Sequence, residues 1–284
     1  MAKRQRGMTK SKIEKWLKEG RGQGLDIDYK PWLTVQDVPS AGRAHREIGM
    51  KVPRQYTFFS DLENRYFNII EYSFSVVDIR EQFPLLPLEE TIFIASELGL
   101  KHPTDPYTGE DIVMTTDFLI TVTENGRNKL LARTVKMSSD LNSERVIEKF
   151  EIERRFWNKQ GVDWGIVTEQ DINRVFADNI KVVRKYYDLK ICGLVDDLTV
   201  AHREQYLAQL ANELSGDAVS VRNICHEFDE KNGLNQGTSL AFFKHLVVTR
   251  KIDLDIINQP IELTKPIQIK LSDYGYLDSG VEAI

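Results

Sequence analysis

Residues 114–137 read MTTDFLITVTENGRNKLLARTVKM, two β-rich runs around an Asn-Gly pair. Asn-Gly between such runs is the strongest short-range signal of a β-hairpin with a two-residue turn. If Asn125 and Gly126 form the turn, Glu124 pairs with Arg127 and the register of the whole hairpin follows. The stretch therefore predicts two antiparallel strands joined by a tight turn.

Counting back from that turn places Asp117 opposite Thr134. Side chains alternate along a strand, so Lys136 points to the same face as Thr134. Asp is disfavoured inside a strand, and here the apolar run Phe118-Leu119-Ile120 follows it. Such a carboxylate needs a partner or a metal ion. Lys136 has two plainer readings, as an edge-strand charge or as the ion-pair partner of Asp117.

Glu63 lies far upstream, in Ser60-Asp61-Leu62-Glu63. This spacing fits a capping box, in which Ser and Glu side chains satisfy backbone donors at a helix start. A purely structural role is thus open, although a carboxylate held at a helix start can also act as a ligand.

Taken together, Glu63, Asp117 and a main-chain carbonyl from the Thr134–Lys136 strand form an oxygen-rich set suited to Mg²⁺. A bound metal ion would activate water for attack on a phosphodiester, and Lys136 would orient or deprotonate that water. A second ion could bridge Asp117 and Thr134, although a hydroxyl is a weak ligand. No zinc spacing, nucleophile elbow or P-loop accompanies the other His, Cys and Gly residues.

The chain of 284 residues is 41% hydrophobic and 29% charged, which is typical of a globular protein with two domains. No apolar run approaches the roughly 20 residues that cross a bilayer, and no secretory signal is recognisable. Two cysteines, Cys192 and Cys225, form no disulfide framework. Reduced thiols and a cytoplasmic location are therefore expected.

Charge is distributed unevenly along the chain. Residues 1–58 carry a net charge of +7 and the remainder −12, within a total of −5. A basic arm on an acidic body suggests contact with phosphate at one place, and a solubilising tail is the alternative. We expect the arm, residues 3–21, together with Arg43 and Arg46, to contact backbone phosphates. The Gly-rich segment 20–24 could bring backbone N–H groups and Arg21 close to such a phosphate.

The remaining patterns predict an α/β N-terminal domain, residues 1–169, and a mainly helical C-terminal domain, residues 170–284. Residues 60–168 follow the order helix, strand, helix, hairpin, helix, strand, with helices at 61–72, 88–98 and 144–159 and strands at 76–80 and 164–168. An earlier helix is expected at 10–19. The C-terminal helices are expected at 172–187, 200–214, 218–230 and 238–249. Two short strands follow at 252–257 and 267–271, an order that suggests a winged helix.

Several motifs in order resemble the TnsA family, the endonuclease subunits of Tn7-like bacterial transposases. They are Lys18-Glu19-Gly20-Arg21-Gly22-Gln23-Gly24, Asp28-Tyr29-Lys30-Pro31-Trp32-Leu33-Thr34-Val35, Ser60-Asp61-Leu62-Glu63, Asp78-Ile79-Arg80-Glu81-Gln82-Phe83-Pro84-Leu85-Leu86, Lys101-His102-Pro103 and Thr116-Asp117-Phe118-Leu119. The resemblance covers about residues 10–168 and rests beyond 170 on length and helical content.

The resemblance implies a restriction-endonuclease-like N-terminal domain, with a mixed sheet flanked by helices, and a winged-helix-like C-terminal domain. It implies Glu63, Asp117 and Lys136 as catalytic residues and two Mg²⁺ ions, which Mn²⁺ would replace, with the Val135 carbonyl as a ligand. The family usually has Gln where Thr134 stands, so the second ligand set is open.

The implied activity is cleavage of the 5′, non-transferred strand at transposon ends. The implied partners are double-stranded DNA, a TnsB-like transposase subunit and a TnsC-like ATPase that binds the C-terminal domain. Two other functions stay open: a free-standing restriction or repair nuclease, and a non-catalytic DNA-binding adaptor in which Glu63 only caps a helix and Asp117 pairs with Lys136.

Overall fold

The structure is a computed structural model that describes residues 7–38, 43–193, 198–216 and 218–272. The chain divides into two compact units. The first comprises Met1–Tyr66 and Phe74–Ile172, and the second comprises Phe67–Ser73 and Asn173–Ile284.

The first unit contains helices and strands in alternation. In chain order they are α1 (Lys10–Lys18), β1 (His45–Ile48), β2 (Gln55–Phe58), α2 (Asp61–Tyr72, shared with the second unit), β3 (Val76–Pro84), α3 (Leu88–Glu97), β4 (Thr115–Glu124), β5 (Arg127–Val135), α4 (Glu144–Lys159) and β6 (Asp163–Val167).

Four of these strands form one sheet in the order β3-β4-β5-β6. β3 and β5 are antiparallel to β4, whereas β6 is parallel to β5 and reached through α4. The predicted hairpin is confirmed, because Glu124 pairs with Arg127. Asn125 and Gly126 both have positive φ, 50° and 74°, as a type I′ turn requires. The mixed α/β sheet predicted for this part of the chain is confirmed.

Two apolar layers hold this sheet. One joins β4 and β5 to α3 and α4 through a buried cluster that includes Leu119, Ala132, Ile94 and Phe156. The other forms where Phe118 contacts the rings of Phe58 and Tyr66 at 5.7 and 5.4 Å between centroids. The strand that carries Asp117 is thus packed from both sides, as expected of a central strand.

The local patterns were less informative at the sheet edges. β3 runs to Pro84 and not to residue 80, since its ladder with β4 continues to Pro84↔Thr115. β6 was predicted as a buried strand, but its side chains are mostly half-buried because it is an edge strand. The β1–β2 hairpin was not predicted at all: its strands are four residues each and are separated by Gly and Pro.

The Gly-rich segment has a packing role in the structure. Gly22 has φ +73°, and a Cβ there would lie 2.2 Å from Cγ of Pro84 at the end of β3. Its N–H donates to the Lys30 carbonyl at 2.6 Å. Arg21 donates to Asp37 at 2.7 Å and stacks on Trp16 at 4.1 Å from the ring centroid. The backbone at Gly22 therefore packs the N-terminal segment against the sheet, and Arg21 holds that segment together.

The second unit is mainly helical. It contains α5 (Arg174–Val183), α6 (Val200–Leu214), β7 (Val219–Ser220), α7 (Val221–Asn232), α8 (Thr238–Val248), β8 (Ile252–Asp253), β9 (Pro266–Ile267) and β10 (Lys270–Leu271). The buried Asp229 carboxylate accepts from the backbone N–H groups of Gly237 and Ser239, which fixes the turn between α7 and α8.

The four predicted helices of this unit are present, with the first ending at Val183 and not at 187. Of the two predicted strands, 252–257 is strand only at β8, and 267–271 is divided between β9 and β10. β8 pairs with β10, and β9 pairs with β7, which the sequence did not predict. The winged-helix assignment stays a prediction. None of the helices within the described ranges is long and apolar enough to cross a bilayer.

Gly22 supplies a stability test. Gly22→Ala and Gly109→Ala both force a Cβ onto a residue with φ above +70°, but only at Gly22 does that Cβ meet another atom within 4 Å. We expect Gly109→Ala to cost about 1–2 kcal/mol of unfolding free energy. Gly22→Ala should cost about 1–3 kcal/mol more, because Pro84 must move. Urea titration of the full chain measures both, and equal losses would contradict the close packing.

Candidate active site

Glu63 is held rigidly at the start of α2. Its backbone N–H donates to Ser60 Oγ at 3.1 Å, and Ser60 Oγ donates back to Glu63 Oε1 at 2.8 Å. Glu63 Oε2 accepts from the Phe59 N–H at 3.1 Å, one residue before the donor of a standard capping box. Glu63 is 8% exposed. The predicted cap is present, and it fixes both carboxylate oxygens of this side chain.

Asp117 is held by donors from the two strands beside β4. Oδ2 accepts from the Val135 N–H at 2.8 Å, and Oδ1 accepts from Gln82 Nε2 at 3.3 Å. One donor lies on β5 and the other on β3, so each carboxylate oxygen has a defined direction. Asp117 therefore has hydrogen-bond partners that the sequence did not reveal.

The β4–β5 ladder becomes irregular next to Asp117. Its backbone pairing ends at Phe118↔Arg133. In a regular pleat Thr116 and Thr134 would face opposite sides, yet both hydroxyls donate to Oε1 of Glu153 on α4. The strands thus leave their regular register where Asp117 lies. The predicted pairing of Asp117 with Thr134 falls one position beyond the last paired residues and is not part of the ladder.

Lys136 lies just past the end of β5, within electrostatic range of both acids. Its Nζ is 3.4 Å from Asp140 Oδ2, and its side chain is 39% exposed. Among the described residues its ion-pair partner is Asp140 and not Asp117. The ion pair with Asp117 on which the adaptor reading depends is therefore not formed.

The three carboxyl groups of the site all have raised pKa values. Burial raises the pKa of Glu63, and the Asp117 charge raises it further. Burial also raises the pKa of Asp117, against the opposing effects of Val135, Gln82 and Lys136. Burial raises the pKa of Glu153 to about 7. The raised pKa values, about 8 for Glu63, show that the fold disfavours the ionised carboxylates when no cation is near. A hard cation that replaced the protons would stabilise the ionised forms, so the oxygen donors fit such an ion.

Within the described ranges, no three or more His, Cys, Asp or Glu side chains form a group that could hold a metal ion. A metal ion bound by Glu63 and Asp117 would need further oxygens, from main chain, hydroxyl or water. The predicted ligands Val135 and Thr134 are of those kinds. The Thr134 hydroxyl donates to Glu153, which leaves its oxygen lone pairs as acceptors.

Two residues of this site were not predicted from the sequence. Glu153 is 3% exposed and occupies a position in the apolar stripe of α4, between Phe150 and Trp157. An acid in such a stripe was a usable signal. Gln82 gave no local signal, because its partner Asp117 is 35 residues away.

Some predicted residues lie elsewhere. Arg46 is exposed on β1, and Arg43 is exposed just before it. Lys3, Arg4 and Arg6 of the basic arm lie outside the described residues, as does the side chain of Cys192. Cys225 is a buried free thiol.

Comparisons with known proteins identify the family of the chain. Residues 73–169 match the family model described as TnsA-like endonuclease N terminal, and residues 171–256 match that described as TnsA endonuclease C terminal. The chain is 39% identical over 258 residues to the transposon Tn7 transposition protein TnsA of Escherichia coli, covering 90% of each chain.

These matches cover parts of both units of the chain. The structure adds a mixed sheet that carries an acid-rich site. The chain therefore belongs to the TnsA family, and it is an endonuclease subunit of a transposase that hydrolyses DNA.

Proposed function

We propose that the protein cleaves the 5′, non-transferred strand at each transposon end in a Mg²⁺-dependent reaction, with Glu63, Asp117 and Lys136 as catalytic residues. The observation that carries this proposal is that Asp117 accepts a hydrogen bond from the N–H of Val135, the residue before Lys136, while the Asp117 charge also acts on Glu63. A restriction-endonuclease-like fold for residues 1–169 belongs to the same proposal.

Glu63, Asp117, the Val135 carbonyl and the Thr134 hydroxyl would hold the metal ions. Bound Mg²⁺ supplies an activated water and stabilises charge on the scissile phosphate. The chain's own contribution is to fix the carboxylates before the ion arrives: Ser60 and Phe59 hold Glu63, and the two neighbouring strands hold Asp117. Mn²⁺ would replace Mg²⁺, because both ions take oxygen ligands.

Lys136 would act on the attacking water or on the developing negative charge of the phosphate. Its partner Asp140 is 48% exposed, so solvent screens their attraction and separating the pair costs little. The ammonium group is thus free to turn from Asp140 toward a bound phosphate.

Helix α4 would guide the DNA backbone toward this site. Arg145, Lys149 and Glu153 recur every four residues, so they lie along one face of the helix. Partial burial lowers the pKa of Lys149, and the charges of Arg145 and Lys136 lower it further, which shows that the three cations lie close together. Such a cluster suits phosphate contacts that position DNA without reading sequence. Arg43, Arg46 and the basic arm would add contacts of the same kind.

DNA and the other Tn7 transposition proteins are the partners that membership of this family implies. We assign a TnsB-like subunit as the protein that positions this nuclease, and a TnsC-like ATPase as the partner of a winged-helix-like domain at residues 170–284. The bacterial cytoplasm is the proposed location.

The two alternatives make different predictions. A free-standing nuclease would cut naked DNA alone, whereas a transposase subunit should be nearly silent without its partners. A non-catalytic adaptor would bind neither Mg²⁺ nor Mn²⁺ and would tolerate loss of Asp117. The relative from Tn7 is a transposition protein, which favours the subunit over both alternatives.

The catalytic assignment predicts strand-specific loss of cleavage. In the assembled reaction Asp117→Ala and Lys136→Ala should each lower 5′-strand cleavage by about 100-fold or more, because ion binding and charge stabilisation are lost. Cleavage of the transferred strand by the partner subunit should persist, which shows that the complex still assembles. Gel analysis of both strands measures the two reactions.

Matched controls lie on the same hairpin, away from the site. Glu124→Gln and Lys129→Ala change an exposed acid and an exposed lysine of β4 and β5 and should leave both cuts intact. Undiminished 5′-strand cleavage by either test variant would defeat the assignment.

The raised pKa of Asp117 predicts a stability gain on neutralisation in metal-free protein. The folded state binds this proton more tightly than the unfolded chain, so Asp117 lowers stability as pH rises from about 4 through its folded-state pKa of about 6. At pH 8 without metal, Asp117→Asn should therefore be more stable than wild type by about 1–3 kcal/mol. At pH 3 the difference should disappear.

Mn²⁺ at about 1,000 times Kd should reverse that order at pH 8, since only the wild type gains binding free energy, about 4.1 kcal/mol. Urea titrations with EDTA and with Mn²⁺ measure both effects. Asp178→Asn, at an exposed position, serves as the control and should show neither. If Asp117→Asn is less stable than wild type without metal, Asp117 is a structural residue, which would favour the non-catalytic adaptor.

A further inference from the structure

We infer that Gln82 is a positioning residue that fixes Asp117 in the orientation that receives the metal ion. This inference rests on the proposed function. It concerns a side chain on β3 that does not itself need to touch metal ion or DNA.

The backbone of Gln82 is the first observation. Four described residues other than glycine have positive φ: Asp26, Gln82, Asn125 and Arg250. Of these only Gln82, with φ +49°, lies inside a strand. A non-glycine residue in this region is strained and persists only where its surroundings hold it, and such residues concentrate at functional sites.

The second observation is what the strained backbone does with the side chain. Gln82 is 3% exposed. Its Oε1 accepts from Thr115 Oγ1 at 3.4 Å, and its Nε2 donates to Asp117 Oδ1 at 3.3 Å. Because Oε1 has a donor of its own, the amide has one orientation, with its N–H groups toward Asp117.

The third observation is the support for the strained residue. The Trp32 N–H donates to the Gln82 carbonyl at 3.2 Å, and the Tyr29 hydroxyl donates to the Glu81 carbonyl at 3.0 Å. The Tyr29 ring also stacks on Phe83 at 6.2 Å between centroids. The segment 29–32 therefore contacts residues 81–83 and holds the strained backbone of Gln82 in place.

The chemistry of a neutral donor explains the choice of residue. With Val135 N–H on Oδ2 and Gln82 on Oδ1, the plane of the Asp117 carboxylate is fixed. An arginine or lysine here would fix it too, but would neutralise the charge that attracts the cation. An amide orients the ligand and leaves its negative charge available, as outer hydrogen bonds do in other metal sites.

Two variants separate positioning from packing. Gln82→Met keeps the size and the strained φ but removes the donor, whereas Gln82→Gly removes the donor and relieves the strain. Calorimetry of Mn²⁺ binding to the full chain should show Kd raised about 10-fold or more in both. Their unfolding free energies without metal should differ from each other. Gln55→Met, an exposed glutamine in β2, should bind Mn²⁺ like the wild type.

Cleavage supplies a second measurement. In the assembled reaction the Mn²⁺ concentration for half-maximal 5′-strand cleavage should rise about 10-fold for both Gln82 variants, with the rate at saturating Mn²⁺ within about 3-fold of wild type. If Gln82 served only in packing, the variant with the lower unfolding free energy would also bind Mn²⁺ more weakly than the other variant.

The outcomes distinguish this inference from the proposed function. If Asp117→Ala abolishes Mn²⁺ binding while both Gln82 variants bind as tightly as wild type, the inference is wrong and the proposed function stands. If Asp117→Ala binds Mn²⁺ like the wild type, the proposed function fails and the inference fails with it.

Discussion

The charge of Asp117 raises the pKa of Glu63 in a largely buried environment, and this unfavourable interaction is the constraint on which the site depends. Two like charges in low dielectric are costly unless a cation compensates them. The fold nevertheless holds both carboxylates rigidly, one at a helix start and one between two strands. A protein that only needed stability would gain from replacing either acid, so the cost points to binding.

The scaffold around the pair is built from long-range contacts. Glu153 joins β4 and β5 to α4 by accepting from both threonine hydroxyls, at the place where the strand ladder loses its register. The Trp157 indole donates to Thr116 at 2.6 Å and extends this network into the core. On the other side of β4, the N-terminal segment supports residues 81–83 of β3. The site is thus braced by α4 and by the N-terminal segment, which is why the sheet can tolerate an irregular end there.

The sequence predicted what short-range chemistry determines. Asn125-Gly126 fixed the hairpin and its register, and Ser60 with Glu63 fixed the start of α2, because each signal lies within four residues. The β1–β2 hairpin was missed since strands of four residues are too short to show a clear pattern. Gln82 and Glu153 were missed because their partners are 35 and 37 residues away. The Gly-rich segment was expected to lie near a phosphate. Its close approach to Pro84 could not be predicted, because that contact depends on the fold and not on neighbouring residues.

The most direct test of a cation-binding carboxylate pair is anomalous scattering from crystals of the full chain grown with Mn²⁺. The account predicts a peak with oxygens of both Glu63 and Asp117 at coordination distance, about 2.0–2.6 Å. It also predicts that the peak disappears in Asp117→Asn. Absence of a peak at Glu63 and Asp117 in saturating Mn²⁺ would contradict this prediction. So would a Mn²⁺ ion bound by other residues while these two carboxylates bind none.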